Sequence, residues 1–172
     1  GVKKNKEMVY AVVNIPMINE MYYAGKGEGA FLNGKQIHVS NISELNSSQI
    51  QVGISPQVEA MDDSLLMFRE ISLKTSRAKD LGFCAGQLAF LAAGRADGFV
   101  KISQHPWDLA AGMLLVTEAG GKVTDVYGNK FEVGDNNARH NVVASNNLIH
   151  DGLLEILKSD KLKDLDLEKK WY

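Results

Sequence analysis

The chain has 172 residues, 45% of them hydrophobic and 23% charged, with a net charge of −2, which suits one globular domain with a sizeable core. That charge and a pI near 6.1 argue against a binder of nucleic-acid polymers held by a basic surface, and no apolar run reaches the ~18–20 residues a membrane span needs. A single cysteine, Cys84, excludes an internal disulfide and points to a reducing, cytoplasmic setting. The N-terminus has no signal-type apolar core and begins at Gly1 without a methionine, so the chain reads as a piece of a longer product.

In chain order, "MVYAVVNIP" is β-branched and apolar up to Pro16, which predicts a strand. "EMYYAGKGEGAF" follows, with Gly25, Gly27 and Gly29 at alternate positions. "FLNGKQIHVS" holds Asn33-Gly34, a pair suited to a tight hairpin because both turn residues need φ > 0. "SQIQVGIS" is another short strand. Met61, Leu65, Phe68 and Ile71 recur at helical spacing and predict an amphipathic helix over 59–73, with Asp62 and Asp63 in a solvated first turn. "CAGQLAFLAAG" predicts a buried helix stopped by Gly94, and "ADGFVKIS" a strand. A helix from Pro106 to Ala119 ends at Gly120-Gly121. "KVTDVYG" and "HNVVAS" are strands, and a last helix runs from Asn146 to Leu157 with Asn146 as its cap candidate. The charged stretch from residue 159 to Trp171-Tyr172 reads as a loosely held tail. Hairpins first, then strands alternating with helices, predict an α/β (α+β) fold: a layered sandwich of mixed β-sheets covered by helices.

The chemistry centres on "HPWDLAAGMLLVTEAGG". Pro106 suits the first helical position, so Asp108 falls in the first turn, where a carboxylate faces the positive end of the helix dipole. The same position suits a hard-cation ligand, since Mg²⁺ takes one or two protein carboxylates and leaves its other positions to water and phosphate oxygens. Cys84 has no histidine at a spacing that implies pairing and reads as a structural thiol. His105 reads as a surface side chain near the corner. "GKGEG" opens no helix and reads as strand-turn geometry rather than a phosphate cradle. Asp125 reads as shaping a turn with Gly128.

Three ordered stretches, "GKGEGAFLNGKQIHVS", "LGFCAGQLAFLAAGRADGF" and "GFVKISQHPWDLAAGMLLVTEAGGKVTDVYG", resemble motifs of the inositol monophosphatase family of Mg²⁺-dependent, Li⁺-sensitive phosphatases. The likeness runs from about residue 8 to residue 158. It implies the inositol monophosphatase/fructose bisphosphatase-like sandwich and hydrolysis of a small phosphate monoester by a metal-activated water. It also implies a homodimer, with Asp108 as a metal ligand and Gly82, Phe83, Cys84 and Lys101 facing the substrate. Trp107 is expected to pack beneath the metal corner. The chain departs from the pattern at Phe83, where the family has a hydroxyl residue, and at Cys84, where it has alanine. Lys101, seven residues before Asp108, stands where animal-type members have a glutamate that binds an inositol hydroxyl; a cation there suits a second anionic group. The D-P-[ILV]-D-G-[ST] signature and the Glu-Glu pair that supply the remaining ligands do not occur in this sequence. The expectation is therefore the C-terminal part of one incomplete phosphatase domain (1–158) and a tail (159–172), inactive by itself. The alternative is a non-catalytic relative that acts as a binding or scaffold protein.

Overall fold

The computed structural model describes residues 1–5, 7–131, 139–162 and 165. The first sheet is an antiparallel meander of β1 (Val2–Lys4), β2 (Glu7–Ile15), β3 (Glu20–Gly25), β4 (Gly29–Leu32) and β5 (Lys35–Ile37), paired in chain order. The hairpin expected at Asn33-Gly34 forms, with φ of 48° and 85° at the two turn residues. Asn33 also ties this turn to the one before β3: its Oδ1 accepts from Met21 N (2.9 Å) and its Nδ2 donates to Asn19 O (2.8 Å).

The remaining strands form the second sheet: β6 (Gln49–Gly53), β7 (Arg77–Lys79), β8 (Gly98–Gln104), β9 (Lys122–Thr124) and β10 (His140–Ser145), in the order β7-β6-β8-β10-β9. β6 is parallel to both β7 and β8, while β10 runs antiparallel to β8 and β9. The helices α1 (Val58–Ser72), α2 (Cys84–Ala92) and α3 (Pro106–Glu118) link β6 to β7, β7 to β8 and β8 to β9, and α4 (His150–Leu157) follows β10.

Strand periodicity sorts the second sheet's side chains between two cores. Phe99, Val142 and Ala144 join α2, α3 and the inner face of the first sheet, where Ala11, Val13 and Tyr22 lie. Val100, Ile102 and Val143 join α1 and α4. The order of layers is sheet, helix pair, sheet, helix pair, the α+β sandwich expected from the sequence. α2 and α3 therefore have sheet on both sides, which is why "LAAGMLLV" has no polar stripe. The two helices approach closely at Gly112, where a Cβ would fall 2.4 Å from Leu88 Cβ. Gly112→Ala should cost about 1–3 kcal/mol in urea unfolding, because overpacking outweighs the ~1 kcal/mol that alanine gains in helix propensity. Unchanged or raised stability would show that this contact relaxes freely.

Three expectations need correction. The buried stripe of α1 is Ala60, Ser64, Met67 and Ile71, whereas Met61 and Leu65 are exposed. Ser64 can be buried because its hydroxyl donates to Met61 O (2.8 Å) and accepts from Ser55 N (3.0 Å). The last helix starts at His150, and Asn146 is not its cap. Asn146 accepts from Ile149 N (3.3 Å), just ahead of the helix, while its amide donates to Ser40 Oγ (2.9 Å) and Ile42 O (2.8 Å), joining a buried knot in which Asp97 accepts from Ser40 Oγ and Gln49 N. β1 and β7, three residues each, carry no periodic signal and were not anticipated.

Leu162, within the stretch read as tail, is fully buried in the outer core. Trp171-Tyr172 lie outside the described residues. On the outward face of the first sheet, Tyr10, Val12 and Met21 are about half exposed.

Candidate active-site cleft

Ligands of open α/β sheets collect beyond the carboxyl ends of parallel strands. Here β6, β7 and β8 are the parallel set, and the segments leaving them converge: Ile54–Gln57 after β6, Asp80–Cys84 after β7, and His105–Asp108 after β8. Together with Lys101, Gln87 and Arg139 they line a cleft of about 650 Å³. All five residues singled out from the sequence, Gly82, Phe83, Cys84, Lys101 and Asp108, fall on its wall.

Asp108 occupies the first turn of α3 behind Pro106, as the sequence predicted. It is half-buried, and one carboxylate oxygen accepts from Gln104 Nε2. Asp80, which sequence reasoning missed, has both oxygens committed to backbone: Oδ1 accepts from Gly82 N (2.8 Å) and Oδ2 from Ile54 N (2.8 Å). It thereby fastens two of the three converging segments. The Asp-x-Gly pattern of an Asx turn was its available signal, and Gly82 supplies the required φ of +76°.

Phe83 gives the cleft an apolar wall. Its ring lies over the bare backbone of Gly86, where a Cβ would fall 1.7 Å from a ring carbon. It also meets Phe90 edge-on at 5.9 Å. Burial pushes the Cys84 thiol up to about 11, so it stays protonated and unreactive at neutral pH.

Lys101 is only 6% exposed. That overturns the plain alternative of a strand-end lysine reaching solvent. Its stem crosses Gly53, its register partner on β6, and Nζ donates to Ile54 O at 2.7 Å. Ser103, at φ +57°, turns its carbonyl to accept from Arg139 Nη1 (3.0 Å). In the amide orientation that pairs donors with acceptors, Gln57 donates to Ser103 Oγ (2.9 Å) and accepts from Arg139.

Trp107 does not pack beneath the corner. It is 61% exposed and stacks on His105 at 4.1 Å. His105 in turn lines the cleft, and among the described residues its buried Nδ1 has no hydrogen-bond partner.

The glycine-rich turn cannot cradle phosphate. Gly27 N (2.9 Å) and Gly29 N (3.0 Å) both donate to the carboxylate of Glu118 at the far end of α3. Asp125 shapes its turn as expected, with Oδ1 accepting from Tyr127 N (2.9 Å) and Asn129 N (2.8 Å).

Residues 1–161 match the model of the inositol monophosphatase family. The chain belongs to that family. Inositol monophosphatase relatives include a fructose-1,6-bisphosphatase/inositol-1-monophosphatase of Thermotoga maritima, 36% identical over 90% of this chain and 57% of that protein. A putative Nus factor SuhB of Neisseria meningitidis serogroup A is 39% identical over 87% of this chain and 56% of its own length. Among solved structures, a Thermotoga maritima IMPase superposes with a TM-score of 0.83 at 34% identity, over 94% of this chain and 59% of that one. The chain thus spans a little over half the length of the curated relatives it matches.

Inositol monophosphatase chemistry implies Mg²⁺, and the cleft fits it in part. Asp108 supplies one carboxylate of the kind such an ion takes. Among the described residues, no cluster of three or more His, Cys, Asp or Glu side chains could hold a metal.

Proposed function

We propose that this chain is the C-terminal part of a Mg²⁺-dependent, Li⁺-sensitive phosphomonoesterase that acts on a small phosphorylated substrate. Asp108 supplies one metal ligand, and Gly82, Phe83, Cys84 and Lys101 face the substrate. The observation that carries this reading is the placement of Asp108. It sits at a helix start, beyond the ends of parallel strands, on a cleft that also holds Lys101 and Arg139. Bound Mg²⁺ would polarise the ester and make a water nucleophilic near neutral pH. The chain's own part is positional: the Gln104 amide orients the Asp108 carboxylate, and the Phe83 ring keeps water from one wall. One carboxylate does not hold the ion at working affinity, so the reading assigns the remaining ligands to residues outside this chain. It also includes a cytoplasmic homodimer, supported by the single cysteine and by the half-exposed Tyr10, Val12 and Met21.

The test is phosphate release from sugar and nucleotide monophosphates and bisphosphates. The full-length protein should turn over with Mg²⁺ and be inhibited by Li⁺, while this chain alone should not. Enzyme-like rates from the chain alone would overturn the division of ligands.

A second reading, a binding or scaffold protein that has lost its metal site, is favoured by Phe83 in the hydroxyl position and by similarity to proteins named as Nus factors. Calorimetric titration of the full-length protein with Mg²⁺ separates the two, since a scaffold gives no saturable heat.

A further inference from the structure

Strict alternation along β8 would send residues 101 and 103 to one face of the sheet and 102 and 104 to the other. Ile102 obeys and is buried in the outer core. Gln104 does not: it lines the cleft beside Lys101 and Ser103. The register with β10 gives the cause. Lys101 pairs with Val142 and Gln104 with His140, so β8 advances three residues while β10 advances two. The extra residue is a β-bulge, which bends a strand and re-aims the side chains beyond it. The residue at its left-handed turn is Ser103, with φ of +57°.

A left-handed conformation crowds a serine, because its Cβ approaches the following carbonyl oxygen. Such a residue persists where its surroundings over-determine it. Ser103 N donates to Asn141 Oδ1 (2.7 Å), Ser103 O accepts from Arg139 Nη1 (3.0 Å), and Ser103 Oγ pairs with the Gln57 side chain (2.9 Å). Gln57 is itself held by Arg139. Every polar group of Ser103 is thus met by a side chain from another segment. Arg139 and Asn141 come from the start of β10, and Gln57 from the segment that leaves β6. Ser103 is only 3% exposed, so these side chains, and not bulk water, satisfy the groups that the bulge takes out of the ladder.

We propose that Ser103 is a positioning residue: the bulge held by Arg139, Asn141 and Gln57 turns Gln104 into the cleft, where its amide fixes the Asp108 carboxylate. The last link is a direct hydrogen bond from Gln104 Nε2 to Asp108. The inference rests on the phosphatase reading for its catalytic consequence, because that reading makes Asp108 a metal ligand. Groups that orient a metal ligand from behind matter by ~10–100-fold in activity or metal affinity. Arg139 then acts on the chemistry through Ser103 and Gln104, without touching the substrate.

Two measurements on the full-length protein test this, one structural and one kinetic. Arg139→Met cuts the tie to Ser103 O. Its crystal structure should show residue 103 out of positive φ and the Gln104 amide turned from Asp108, and kcat at saturating Mg²⁺ should fall about tenfold. In the Ser103→Gly background the same substitution should cost less than about threefold, with the Gln104–Asp108 contact kept, because glycine adopts φ > 0 without crowding. Asn141→Ala cuts a different tie and should repeat the pattern, with melting temperatures confirming that each variant folds. An equal loss in both backgrounds would mean that Arg139 touches the substrate itself, and overturns the proposal. So does an Arg139→Met structure that keeps both the positive φ and the Gln104–Asp108 contact. The expected structural changes in a protein without phosphatase activity would leave the positioning in place and overturn the phosphatase reading alone.

Discussion

Asp108→Asn in the full-length protein is expected to lower kcat/KM for its phosphate ester by ~10²–10³-fold, the scale of losing one preorganised charge-stabilising group. Its melting temperature should hardly change. Asparagine keeps an oxygen that can accept from Gln104 Nε2, and the rest of the first turn is fixed by Pro106 and by the buried Leu109. What the substitution removes is the negative charge alone. Losing the favourable dipole interaction costs at most ~1 kcal/mol of stability at a partly exposed helix start. A large fall in melting temperature with modest loss of activity would reverse the assignment, making Asp108 a structural helix-start acid. Equilibrium unfolding and steady-state kinetics on the same preparation decide between them.

Stability should decline steeply as pH falls from about 6.5 towards 4, with His150 as a principal source. His150 is fully buried at the start of α4. Its Nδ1 pairs with Ser145 Oγ (2.9 Å) and its Nε2 with Thr124 Oγ1 (2.9 Å). Burial pushes its pKa down to about 4, with the Lys122 charge acting in the same direction and Asp151 against it. The unfolded chain binds the proton near pH 6.5, so the unfolded state takes up more protons in this window. The contribution is complete above pH 6.5 and is lost as pH falls through the folded value, for ~3 kcal/mol in all. Burial lowers the His140 pKa as well, which adds to the slope with the same sign. Urea midpoints measured from pH 7.5 to 4 should show this, and His150→Gln should flatten the curve. An unchanged slope in that variant would assign the acid sensitivity elsewhere.

The layered architecture was legible because strand and helix periods dominate this sequence. Asn33-Gly34 fixed a hairpin through backbone sterics, and "LAAGMLLV" announced a helix with no wet side. The α1 stripe was misassigned for a specific reason. Hydropathy ranks Leu65 above Ser64, but two hydrogen bonds, to Met61 O in the same helix and from Ser55 N just ahead of it, satisfy the buried Ser64 hydroxyl, and a hydropathy pattern does not register them. Asn146 illustrates the same limit. Its local sequence looks like a helix cap, and its Oδ1 does accept from Ile149 N (3.3 Å), but its amide donates to Ser40 and Ile42, over a hundred residues earlier in the chain. At the site, the positions of Asp108, Gly82 and Lys101 followed from motif order. Asp80, Gln87 and Arg139 did not, because their roles arise only when β6, β7 and β8 end side by side. The burial of Lys101 was invisible for a similar reason: it depends on Gly53, a neighbour through sheet register alone.

The close approach of Gly112 to Leu88 has a reach beyond stability. α2 begins beside Phe83, at Cys84, and α3 begins at Pro106, just ahead of Asp108, so both helices open onto the cleft while their bodies are squeezed between two sheets. The spacing of the helix axes sets the distance between the Phe83 wall and the Asp108 carboxylate across the cleft. Any substitution that swells this inner layer spreads the two helix starts, as a wedge driven between two rods parts their tips. Core volume and the width of the cleft are then a single coordinate in this fold.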